Sequence, residues 1–225
     1  MTKFLYITDP TVLAIPIVEC HEPLIDIKNT VELQYGPPPE CDLTKDDYTK
    51  MRLSVFERIC LAQKELPHNW RFRLYEGFRS LRVQKMLFEQ ELQRVIARLP
   101  HATAEQQFYE TTRLVSPVIH FDGSINIPPH NTGAAIDIEI LTDTGELLDM
   151  GMTAKDWVSV EPDLCLSHSP LVDKHIQANR QLLIDVMQAQ GFVNYPTEWW
   201  HFSYGDRYWA LHNNQKEAIY GSAEF

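Results

Sequence analysis

His130-Asn131-Thr132-Gly133-Ala134-Ala135-Ile136-Asp137-Ile138-Glu139-Ile140 is the stretch on which the reading of the fold turns. Its second half alternates, so that Ile136, Ile138 and Ile140 fall on one face of an extended strand while Ala135, Asp137 and Glu139 fall on the other. Such a strand belongs in a sheet, with the Asp137 carboxylate turned away from the isoleucine layer. His130 is an odd number of residues from Asp137, and a continuous strand would put it on the opposite face. Gly133 resolves the conflict, because glycine takes up the backbone conformations that break a strand and let the histidine fold back. Ala134 and Ala135 leave room for that return.

A second segment, Glu198-Trp199-Trp200-His201-Phe202-Ser203-Tyr204, alternates in the same way. Trp200, Phe202 and Tyr204 form one face, and Trp199, His201 and Ser203 the other, so His201 leaves an aromatic layer. Glu198 follows Pro196-Thr197 and stands at the strand entrance. Together the two segments supply two imidazoles, one carboxylate ligand and one spare carboxylate. That is the set a hydrolytic zinc needs: three protein ligands, an open position for water and a base beside it. Each residue alone would be unremarkable as a solvated or locally hydrogen-bonded group, and it is the combination that points to chemistry. Trp199 and Trp200 are core packing before they are pocket wall. Glu139 shares the Asp137 face, where a solvated role, or one behind the ligands, is expected. His21, His120, His168 and His175 lack partners at a familiar metal-binding spacing, and surface or capping roles suit them better.

Bulk composition frames these motifs. A chain of 225 residues with 44% hydrophobic residues has material for a real core and lies in the range of one sizeable domain or two small ones; it is read as a single domain spanning 1–225. The formal net charge of -11, without any Lys/Arg run, disfavours nucleic acid and anionic lipid as partners. No apolar run approaches the roughly 20 residues needed to cross a bilayer. The stretch from Met1 to Cys20 is apolar, but Asp9-Pro10, Pro16 and Glu19 interrupt it and only Lys3 offers a positive start, so it reads as mature protein. Cys20, Cys41, Cys60 and Cys165 are scattered without a C-x-x-C pair, which suits reduced thiols and a cytoplasmic location.

Between the motifs, Gly36-Pro37-Pro38-Pro39 marks a stiff loop. Tyr48, Arg52, Val55, Ile59, Ala62 and Leu66 recur at helical spacing, predicting a helix capped by Thr44 and ended by Pro67. Arg71–Tyr75 alternates as a strand and turns at Glu76-Gly77. Ser80 caps a second helix whose apolar face carries Leu81, Phe88, Leu92, Val95 and Leu99, and Thr103-Ala104-Glu105-Gln106 has the capping-box spacing for a third. Ser169-Pro170 is expected to open a helix with Ile176, Leu183, Val186 and Met187 inward, and Gly191 to stop it.

The pattern His-x-x-Gly-x-Ala-x-Asp at 130–137, Glu-x-x-His at 198–201 and Glu76-Gly77-Phe78-Arg79 upstream resembles the zinc D-alanyl-D-alanine dipeptidases of the vancomycin-resistance type. The resemblance extends through Asp143-Thr144-Gly145-Glu146-Leu147 and Met150-Gly151, and so covers about Tyr75 to Tyr204. It implies an α+β fold shared with the hedgehog signalling domain: a central, mainly antiparallel sheet flanked by helices. It also implies one Zn²⁺ held by His130, Asp137 and His201, with Glu198 as general base and Arg79 as the electrophilic stabiliser of the oxyanion. Asp156 resembles the acidic residue that would hold the ammonium of a small dipeptide. Two positions depart from the pattern. Pro128 stands where a serine is usual two residues before the first ligand, and Asn29-Thr30 where a tyrosine is usual. These departures bear on which dipeptide fits, not on metal binding. The implied activity is hydrolysis of D-Ala-D-Ala or a related small dipeptide; a peptidoglycan D,D- or L,D-carboxypeptidase and a non-catalytic zinc-stabilised binding domain are the alternatives.

Overall fold

The computed structural model describes residues 4–39 and 41–224, which leaves Lys3 outside the described residues. Among the described residues, seven short strands form two sheets: β1 (Leu24–Asp26), β2 (Gln34–Tyr35), β3 (Lys50–Arg52), β4 (Arg71–Glu76), β5 (Ala135–Leu141), β6 (Val193–Asn194) and β7 (His201–Ser203). β1 pairs with β3, and the other five lie in the order β2-β4-β5-β7-β6, with only β2 and β4 parallel. The α+β class and the mainly antiparallel sheet follow the expectation. Helices are α1 (Pro10–Leu13), α2 (Leu53–Gln63), α3 (Leu81–Arg98), α4 (Ala104–Thr111), α5 (Pro162–Cys165), α6 (Lys174–Gln188) and α7 (Arg207–His212).

β5 is the spine. Ile136, Ile138 and Ile140 are essentially inaccessible and pack with Val55, Ile59 and Ala62 of α2 and Leu183 and Met187 of α6. Each fully buried aliphatic side chain in such a layer contributes roughly 1.5–3 kcal/mol. The other face is buried as well, since Ala135, Asp137 and Glu139 are all covered. Glu139 is therefore not solvated: one oxygen accepts from Arg73 at 2.6 Å and the other from the Ala154 backbone at 3.0 Å. It ties β5 to the turn over residues 154–158.

Two helix starts differ from the expectation, the first through a tertiary contact and the second through a local cap. α2 starts at Leu53 rather than near Tyr48, because Lys50–Arg52 is drawn out into β3 opposite β1 and Tyr48 hydrogen-bonds the Gly36 carbonyl. Thr44 caps nothing; its hydroxyl donates to the Pro39 and Cys41 carbonyls. α6 is capped by Asp173, whose carboxylate accepts from Ile176 N, and Ser169-Pro170 forms a turn ahead of it. In α3 the buried stripe includes Val83 and Leu87, while Leu99 is exposed. The Ser80 cap and the capping box at Thr103 and Gln106 are present. All four cysteines are free thiols. Among the described residues, no helix is long and apolar enough to cross a membrane.

Behind the Trp199-Trp200 pair lies Arg180, fully buried on α6, with its guanidinium donating to the carbonyls of Met150, Leu164 and Leu166 beneath the Trp199 ring. Desolvation pulls its pKa down to about 10. Carbonyl dipoles take the place of a counter-ion, and one side chain pins the Met150 turn to the C-terminal end of α5.

Candidate metal centre and its cleft

Asp137 and His201 meet because β5 and β7 are antiparallel neighbours in a register that sets them directly opposite each other. Directly opposed residues share a face, with Cβ atoms about 4.5–5.5 Å apart. Asp137 Oδ1 lies 3.0 Å from His201 Nδ1. His130 arrives from a 3₁₀ turn over Pro129–Thr132 that ends at Gly133, whose φ of 69° is the left-handed break the sequence required. A Cβ at Gly133 would lie 2.4 Å from Leu24 Cδ2, so space and backbone both demand glycine. His130 Nε2 then sits 3.2 Å from His201 Nδ1 and 3.4 Å from Asp137 Oδ1.

These three atoms test the fit to zinc. A tetrahedral ion with ligand bonds near 2.0–2.1 Å has ligand-to-ligand edges of about 3.3 Å. The observed triangle has edges of 3.0, 3.2 and 3.4 Å. His130 Nδ1 is 2.7 Å from the Gly77 carbonyl, which assigns the proton to Nδ1 and leaves the Nε2 lone pair for a metal. A lone pair on His201 Nδ1 likewise places its proton on Nε2, which is buried and has no partner among the described residues. Among the described residues the group contains three candidate ligands and no fourth His, Cys, Asp or Glu, which leaves one coordination position facing the cleft.

Gly77 carries the second close approach. A Cβ there would stand 2.3 Å from the Lys50 carbonyl, because Gly77 N and Phe78 N donate to Tyr48 and Lys50 on β3. This contact sets the carbonyl that His130 leans on.

Glu198 is buried with one oxygen 3.9 Å from His201 Nδ1, beside the ligand triangle rather than in it. Burial, and next the neighbouring Asp137, raise its pKa well above the usual carboxylate range, against the pull of His130 and Arg79. Burial pushes Asp137 up too, yet the two imidazoles outweigh it and hold that carboxyl below its ordinary value. The two acids are thus driven apart, one stabilised as an anion and the other as a proton carrier.

Arg79 is present in the cleft and fixed by residues that the sequence reading did not assign. Its Nε donates to Glu76 Oε1 at 3.0 Å, its Nη2 to Glu76 Oε2, and its Nη1 to Gln84 Oε1 at 3.0 Å. Nη2 lies 4.0 Å from Asp137 Oδ2. Strict alternation along β4 would place Glu76 with Phe72 and Leu74 on the core face. A bulge between Leu74 and Glu76 shifts the register and brings Glu76 opposite Asp137 instead. Asp156 lies elsewhere: its Oδ2 accepts from the amide and hydroxyl of Thr153, and the cleft wall at that turn is its neighbour Trp157. The cleft is narrow, with a cavity volume of about 40 Å³. Tyr75, Gln84, Ser116, Tyr195 and Trp200 line it along with the ligands, and Ile7 closes it from the N-terminal segment.

Residues 43–218 match the profile of a family described as D-ala-D-ala dipeptidase. A D-alanyl-D-alanine dipeptidase of Synechocystis sp. is 28% identical over 241 residues, covering 94% of this chain and 96% of that protein. A D-alanyl-D-alanine dipeptidase of Escherichia coli K12 is 36% identical over 73 residues, 32% of this chain and 36% of that protein. Among solved structures, the LdcB LD-carboxypeptidase aligns at 16% identity over 87% of this chain and 76% of that chain, with a TM-score of 0.44.

Proposed function

This chain belongs to the D-ala-D-ala dipeptidase family, and from that premise we propose that it hydrolyses D-alanyl-D-alanine, or a closely related small dipeptide, using one zinc ion held by His130, Asp137 and His201. The observation that carries the reading is the placement of Glu198, a buried carboxylate at 3.9 Å from a ligand nitrogen and outside the ligand triangle. A structural zinc would more often be closed by a fourth protein ligand. Here the fourth direction faces a cleft lined by a carboxylate and a guanidinium.

Zinc in that position supplies Lewis acidity, lowering the pKa of a water and polarising the carbonyl under attack. Glu198 accepts the water proton on a carboxylate oxygen and hands it to the leaving amine nitrogen. Arg79, its guanidinium locked in plane by Glu76 and Gln84, faces the charge that develops on the carbonyl oxygen. An arginine serves because it stays charged at every working pH and loses little freedom when it is already clamped. Trp157, Trp200 and Tyr75 restrict the water around the reacting amide.

The experiment is metal analysis of purified protein combined with a ninhydrin assay over D,D, L,D and L,L dipeptides. Glu198→Gln is expected to keep its zinc and lose turnover by at least a hundredfold, whereas His201→Ala loses both. Zinc-loaded protein that cleaves no dipeptide, or a Glu198→Gln variant as active as the parent, overturns the reading.

A further inference from the structure

A dipeptide brings a terminal carboxylate into the cleft, and the donors it meets are those the wall has not already used. Arg79 is the one Lys or Arg side chain lining the cleft, and Glu76 and Gln84 hold it toward the metal side. The Thr112 hydroxyl donates to the Tyr109 carbonyl at 2.7 Å. The Gln84 amide donates to the Ser116 carbonyl at 2.7 Å and accepts from Arg79, so both its ends are engaged. Ser116 differs. Its Oγ accepts from Asn126 Nδ2 at 3.0 Å, and among the described residues nothing accepts its own hydrogen. A hydroxyl that receives one hydrogen bond retains one to give.

The placement is built rather than incidental. Asn126 is buried, and its Nδ2 donates both to Ser116 Oγ and to the Pro117 carbonyl at 2.7 Å, which fixes the direction from which Ser116 is approached. Gln84 bridges the Ser116 backbone carbonyl to Arg79, so residue 116 stands one amide side chain away from the guanidinium. In a dipeptide the carboxylate sits one Cα beyond the scissile nitrogen, on that same scale. His130, Asp137 and His201 are given over to the metal and Glu198 to the proton, so an entering carboxylate needs a donor apart from them.

We propose that Ser116, oriented by Asn126, donates its hydroxyl hydrogen to the terminal carboxylate of the substrate and so selects for a free C-terminal acid at this site. The inference rests on the dipeptidase reading above.

The test compares D-alanyl-D-alanine with D-alanine N-ethylamide, which keeps the scissile amide and lacks the carboxylate, using zinc-loaded parent, Ser116→Ala and Ser116→Thr. In Ser116→Ala, KM for the dipeptide is expected to rise roughly ten- to hundredfold, the worth of one hydrogen bond to a charged group, with kcat within about threefold. The preference for the acid over the N-ethylamide shrinks by the same factor, and Ser116→Thr recovers most of it. A KM that does not change in Ser116→Ala, or that rises equally for the two substrates, overturns the inference while leaving the dipeptidase reading intact. A parent that cleaves neither compound sinks the dipeptidase reading and this inference with it.

Discussion

The site is assembled from two halves that are held in different ways. Asp137 and His201 stand on paired strands, and the ladder that joins β5 to β7 is by itself enough to bring Oδ1 and Nδ1 together. His130 and Arg79 stand on loops, and no ladder reaches them. They are stitched to each other, Arg79 N to the His130 carbonyl and Asn131 Nδ2 to the Arg79 carbonyl, and to distant chain. Gly77 O takes the His130 ring, Arg52 Nε takes the Thr132 carbonyl, and Ser222 takes Asn131 Oδ1. Strand-borne ligands are positioned by local regularity, whereas loop-borne ones depend on many single hydrogen bonds, each removable without disturbing the sheet.

The difference can be broken or sharpened by substitution. Glu76→Ala removes the carboxylate that clamps the Arg79 guanidinium, which keeps Gln84 and the nearby Asp137, and should destabilise the fold by about 1.5–3 kcal/mol in urea unfolding, the worth of hydrogen bonds to a charged group. Turnover should fall at least tenfold with zinc content retained; a variant that loses zinc as completely as His201→Ala would place Glu76 in the ligand-holding half and break the distinction. Gly133→Ala forces a Cβ into a left-handed residue at about 1–2 kcal/mol, plus the clash with Leu24, so roughly 2–3 kcal/mol should be lost. Zinc affinity measured by chelator competition should weaken with it, because His130 alone is displaced; an unchanged affinity would show that the strand pair suffices. Ser222→Ala removes one partly buried hydrogen bond and should cost about 1 kcal/mol, seen in the melting temperature, with a smaller fall in kcat. Any larger loss would mean that the tail holds more of the loop than Asn131.

The same division governs what could be read from the sequence. Period-two alternation gave the facing of Asp137 and His201 correctly, and the odd spacing of His130 demanded the break found at Gly133. The stripes of α2 and α6 identified buried residues even where the helix starts were wrong, since a stripe reports a face whereas a start is decided by what competes for the backbone, as β1 competes for Lys50–Arg52. Glu76 escaped because a bulge reverses the face that alternation assigns, and nothing in Leu74-Tyr75-Glu76 announces a bulge. Gln84, Ser116 and Asn126 were illegible for another reason: their partners are brought together only by tertiary folding, and a polar residue on a helix face or in a loop carries no periodic mark. The zinc ligands stood out because their chemistry is rare, while the residues that aim them are ordinary.

The hydrogen bond from Ser222 to Asn131 spans 91 positions, and Ala223 N adds a second to the Asn131 carbonyl. Translation delivers every ligand by His201, yet the brace on the first of them is made some twenty residues later. The loop that carries His130 is therefore fully braced only when residues 222 and 223 have folded back onto it.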